Sequence, residues 1–153
     1  AMADEVREVR RLTGHSCAVR SVAFSTDGKW LATGNMDYKT KLWNVATGEC
    51  VRTCSGHSRC VDSVAFSHDG KWVASGSWDK TVRVWDTASG RCVRTCTGFG
   101  AVQAVAISSD DKWLASGSND STVWLWNPST GEYLRTCTGH SNWVNALAFS
   151  PDG

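Results

Sequence analysis

Proline is nearly missing from this 153-residue chain, which has two, and neither sign of charge is in excess: 16 Lys and Arg against 15 Asp and Glu, a formal net charge of +1. That balance argues against a basic groove for nucleic acid and against a polybasic membrane patch. No apolar run approaches the roughly 18 residues of a membrane-spanning helix, and no signal peptide opens the chain. The opening "AMAD", with Ala before Met, reads as a tag remnant or linker over residues 1–4. No zinc-finger spacing is found among the seven cysteines, and no phosphate-binding loop is present. What the chain does have is tryptophan, nine residues in all, and a length sufficient for one domain with a core.

Self-comparison organises the rest. From Gly14 the chain reads "GHSCAVRSVAFSTDGKWLATGNMDYKTKLWNVATGECVRTCS". Close copies begin at Gly56 and Gly98, and a truncated one, "GHSNWVNALAFSPDG", begins at Gly139. The units are 14–55, 56–97, 98–138 and 139–153, of 42, 42, 41 and 15 residues. Within a unit, "VDSVAF" alternates as a half-buried strand does, and "SHDG" supplies an Asp-Gly turn. "KWVASGS", "TVRVWD" and "RCVRTC" give three further strands separated by "WDKT" and "TASG". No helical periodicity outlasts a turn. Four short antiparallel strands per repeat predict an all-β fold, a β-propeller built of four-stranded blades.

The Gly-His pairs at 14–15, 56–57 and 139–140, the "AFS.DG" and "SGS.D" strings, and Trp-Asp or Trp-Asn at 43–44, 85–86 and 126–127 recur in phase. In this the chain resembles the WD40-repeat propellers. The resemblance implies that "EVREVRRLT" (5–13) is the outer strand of an incomplete preceding blade and "NWVNALAFSPDG" an inner strand. The architecture expected is a partial propeller, three full blades plus one strand at each end.

Each unit carries a His, a Ser or Thr, and an Asp: His15, Thr33, Asp37; then His57, Ser75, Asp79. The set invites a catalytic-triad reading. Recurrence at fixed offsets argues instead for structure, since catalysis needs such a device once. By the resemblance, these side chains join Trp43 and Trp85 in a hydrogen-bonded network inside each blade. In the third unit Ser116, Asp120 and Trp126 keep their places, but Phe99 stands where His should, and one residue is deleted beside it. The loop over 97–101 is expected to be the least regular of its kind, and that blade less firmly held. Trp30, Trp72 and Trp113 open the second strand of every unit and are expected to pack between blades. Cys50 and Cys54 share a strand about 13 Å apart, too far for one zinc. They and their repeats read as free apolar thiols in a reducing compartment; Cys17 and Cys60, near the blade tops, are candidates for reactivity.

In the family, one rim of the ring carries recognition, through residues flanking the start of the first strand and the residue before the turn Asp. By that motif the rim comprises Arg20, Met36, Asp62, Trp78, Gln103, Asn119, Trp143 and Asn145. Trp78 sits at a turn tip, where a core residue does not belong, and Trp is a common interface anchor.

The reading is a non-enzymatic, intracellular protein-interaction scaffold that completes its ring by oligomerisation. Expected partners are itself and another protein or peptide, with no nucleic acid, membrane, metal or cofactor. The alternatives are a repetitive or engineered propeller without an evolved ligand, a peptide-recognition module, and an enzyme with a site in the central channel.

Overall fold

The computed structural model describes residues 7–153. Its first four strands are β1 (Val19–Phe24), β2 (Trp30–Asn35), β3 (Lys39–Asn44) and β4 (Cys50–Ser55). The next four are β5 (Val61–Phe66), β6 (Trp72–Ser77), β7 (Thr81–Asp86) and β8 (Cys92–Thr97). The last are β9 (Val102–Ile107), β10 (Leu114–Ser118), β11 (Val123–Trp126) and β12 (Tyr133–Cys137). Each group of four is one antiparallel sheet in sequence order. These are three complete four-stranded blades.

Alternation decides which residues turn inward. In β7, Val82 and Val84 are buried while Thr81 and Arg83 are half-exposed. A register shift between Val84 and Trp85 then buries Trp85 as well. The second strands, flanked by a strand on each side within the blade, are buried along most of their length. Between the first and second strands, the Ser67 hydroxyl donates to Asp69 at 2.7 Å and accepts from the Trp72 amide at 3.1 Å. The same clasp forms at Ser25 and Ser108. This turn requires a left-handed residue, supplied by Gly28 and Gly70; in the third blade Asp111 takes that conformation at φ 60°. Its carboxylate accepts from the His68 and Asp69 amides, at 2.6 and 3.1 Å, tying blade three to blade two.

Blade meets blade at a glycine. A Cβ on Gly34 would lie 2.6 Å from Val61, and one on Gly76 would lie 2.5 Å from Val102. The next blade's first valine closes directly on backbone there, and only glycine leaves room. Trp30 and Trp72 lie in separate grooves between blades, Trp30 beside Leu42, Val51 and Phe66, and Trp72 beside Val84, Val93 and Pro128. They pack between blades without touching one another, and Trp113 is more open to solvent.

Neither end forms a ladder. Residues 7–13 and 139–153 contain no strand, and residues 1–6, including the start of the expected outer strand, lie outside the described part. A strand exists only against a neighbour, and among the described residues none pairs with 7–13 or with 144–149. Both segments nevertheless occupy the end-strand places. Arg10 donates to the Thr47 carbonyl at 3.1 Å, as Arg52 does to Ala88 and Arg94 to Ser129. Val144 is buried over Gly117, where a Cβ would approach it to 2.7 Å.

The loop over 97–101 departs from its counterparts: it lacks the amide-to-aspartate bond that Ser16 makes to Asp37 and Ser58 to Asp79, and other bonds hold it. The Gly98 amide donates to Lys80 at 2.9 Å and the Ala101 amide to Asn119 Oδ1 at 2.9 Å. Gly100 fits where any side chain would collide with Ser118 and Asn119.

Candidate interaction surface

In blade two, the Trp85 indole donates to Ser75 Oγ at 2.7 Å. Ser75 Oγ lies 2.7 Å from His57 Nε2, and His57 Nδ1 lies 2.8 Å from Asp79. With the indole a donor only, the consistent arrangement has the Ser75 hydroxyl donating to Nε2 and the Nδ1 proton going to the carboxylate. Asp79 also accepts from the Ser58 amide, the Thr81 amide and the Thr81 hydroxyl. Burial tends to raise its pKa. The hydrogen bonds from His57, Thr81 and the Ser58 amide outweigh that and hold the carboxyl far below the usual range. Blade one repeats the chain through Trp43, Thr33, His15 and Asp37, with a longer His15–Asp37 separation of 3.3 Å.

Blade three has no such chain. Trp126 still donates to Ser116 at 2.9 Å, and Asp120 bonds only within its own turn. An aromatic cluster that sequence reasoning missed replaces the histidine. Trp124 stacks on Trp126 with centroids 5.6 Å apart, and Phe99 and Tyr133 pack on Trp124, each at 5.2 Å. The signal was available: Trp124 and Tyr133 stand where the other units have Lys41 or Arg83, and Cys50 or Cys92.

The rim residues divide into those the structure brings together and those it does not. Trp78 donates its indole N–H to Asp62, whose other oxygen accepts from Arg20 Nε at 3.3 Å. Trp143 meets Trp78 edge to face, centroids 6.2 Å apart at 89°. Arg20, Asp62, Trp78 and Trp143 therefore form one continuous cluster contributed by the first two repeats and the start of the C-terminal segment. The Asp62 carboxylate is covered, while Arg20 and Trp143 are half-exposed. Gln103 contributes a buried amide nitrogen with no hydrogen-bond partner. Met36 holds the place equivalent to Trp78, its amide bonded to Ala18 as that of Trp78 is to Cys60, but it stands outside the cluster. Asn119 is turned onto its own loop through Ala101, and Asn145 is exposed.

The family model for "WD domain, G-beta repeat" matches residues 6–44, 48–86, 90–127 and 131–153. The chain belongs to the WD-repeat family. The first three matched units end on or just after a third strand, so the family unit straddles two structural blades. Among curated proteins it is similar to the Notchless protein homolog of Arabidopsis thaliana, 50% identical over 42 residues, which are 28% of this chain and 9% of that protein. It is also similar to the ribosome biogenesis protein BOP1 of Mus musculus, 50% identical over 40 residues, 26% of this chain and 6% of that protein. The human BOP1 matches at the same identity over 40 residues, 26% of this chain and 5% of that protein. The matches thus span about one repeat, less than a tenth of each relative's length.

Proposed function

We propose that this chain is a non-enzymatic protein-interaction scaffold whose recognition site is the rim cluster of Arg20, Asp62, Trp78 and Trp143, and whose open arc is completed by self-association. The observation that carries the rim reading is the Trp78–Asp62 bond with Trp143 set against it. The Trp78 indole is held at a blade top by a covered carboxylate, the Trp143 ring packs edge-on against it, and a guanidinium lies at the edge. Rigid aromatic anchors ringed by polar groups suit a protein or peptide segment. Ser75 argues against the enzymatic reading. Its side chain is fully buried, and Oγ is bonded by both Trp85 and His57, so a substrate has no approach to it. The uncovered apolar faces of the end blades support self-association, and buried free thiols at Cys54 and Cys96 suit an intracellular, reducing compartment.

The test is selection of binders from a displayed peptide library, followed by titration against wild type and Trp78→Ala. Truncation is expected to weaken the selected peptides by about 2 kcal/mol, roughly thirtyfold, with the melting temperature held. Equal affinity for both proteins would remove the rim from consideration.

A further inference from the structure

Resting on the self-association reading, we propose that the occupant of the open face of blade one is blade three of a second copy. It docks head to tail, and the two terminal segments are internal covers that it displaces.

The first blade's leading face is built to be covered. Val19, Val22 and Phe24 are 50, 58 and 62% exposed, whereas the equivalent Val61 and Val64 are 0 and 6% exposed and Val102 and Val105 are 4 and 7%. The cover over it is thin. Residues 8–12 leave an open groove of about 680 Å³ lined by Val9, Leu12, Val19, Val22, Phe24 and Leu31. Val9 faces solvent.

The two internal interfaces specify what fits. The covering blade needs a glycine on its second strand to receive the next blade's first valine, as Gly34 receives Val61 and Gly76 receives Val102. It also needs an arginine on its outer strand to reach the next blade's turn carbonyl, as Arg52 and Arg94 do. Blade three carries both in phase: Gly117, and Arg135 on β12, which is exposed. Between copies, Val19 would take the place of Val144 over Gly117, and Arg135 would take the place of Arg10 at Thr47. Those exchanges are like for like. The surplus is the remaining apolar face of blade one, including Val22 and Phe24, removed from water. Two three-bladed chains joined in this way make six blades, within the closed range of four to eight, and a ring leaves no edge.

The experiment measures mass in solution by sedimentation on the full chain. Wild type is expected at twice the 16.6 kDa chain mass. Phe24→Asp spoils the leading face and Gly117→Leu the trailing face, and each alone is expected to run as a monomer. Mixed, they restore a dimer through the one intact pair of faces, a result only a head-to-tail interface gives. Arg135→Glu replaces Gly117→Leu if the latter fails to fold. Val144→Asp, which frees the C-terminal cover, is expected to tighten dimerisation by about tenfold. A wild-type monomer at micromolar concentration overturns the self-association reading itself. A wild-type dimer that Val144→Asp weakens, or one whose two face variants fail to complement, overturns this docking alone.

Discussion

Asp79 shows how much one side chain can organise. It closes the indole–hydroxyl–imidazole chain of its blade and takes up the turn amides beside it. Asp79→Ala leaves the His57 Nδ1 proton and the Ser58 amide without an acceptor, so chemical denaturation should show a loss of about 1–3 kcal/mol. The depressed folded pKa also fixes a pH dependence. The carboxylate's contribution is full above the unfolded value of about 3.9 and is lost as pH falls toward the folded value, so it disappears in the window below about pH 4. Asp79→Asn should flatten that part of the acid titration; an unchanged acid profile would deny Asp79 this role. The cysteines are decided by burial in the same way. Burial pushes the Cys54 thiol up to about 12 and Cys96 up to about 11, with neighbouring thiols adding to it, whereas Cys17, Cys92 and Cys137 are exposed. Iodoacetamide at pH 8 should therefore modify the three exposed thiols and spare Cys54 and Cys96 until the protein unfolds, which peptide mapping by mass spectrometry will read.

At the scale of the element, the third blade departs most from its sequence reading. Loss of a polar relay at Phe99 suggested a weaker blade, because a single unit compared with its neighbours shows what has been removed. What was added sits 25 and 34 residues further on, at Trp124 and Tyr133, and only the register of β11 on β12 brings those rings onto Trp126. The blade plan itself was legible because period-two alternation and turn residues act locally, within each repeat of about 42 residues. The rim was legible as a set of positions, but the Trp78–Asp62 bond depends on how β5 pairs with β6, which no local rule states. The end segments read as strands by motif, yet 7–13 and 139–153 are not strands, since a strand is a property of a pair. Trp124→Ala tests the aromatic substitution directly. Removing a ring that contacts Phe99, Trp126 and Tyr133 should cost about 3 kcal/mol, seen as a lower midpoint in urea. The equivalent Lys41→Ala in blade one should change little, because Lys41 only reaches Thr53 at the surface. Equal effects at the two positions would mean that the cluster is incidental.

For the whole molecule, the consequence of an arc is that its three blades differ in environment despite a shared repeat pattern. Blade two is covered on both sides: Val61 and Val64 pack on blade one, and Gly76 receives Val102 of blade three. Blade one has a neighbour on one side and a thin strap on the other, and blade three has only the short segment around Val144. When stability is a sum of unit terms and nearest-neighbour interfaces, the unit with two full interfaces opens least. Ala32, Ala74 and Ala115 are equivalent residues on β2, β6 and β10, all buried, so their amides compare the blades at one position. In dilute solution hydrogen exchange should be slowest at Ala74 and faster at Ala32 and Ala115. Raising the protein concentration should slow exchange at Ala32 and Ala115 and leave Ala74 nearly unchanged, since a second copy covers only the ends. Uniform protection across the three positions at every concentration would show that the arc is as firm at its ends as in its middle, and that its uncovered valines need no partner.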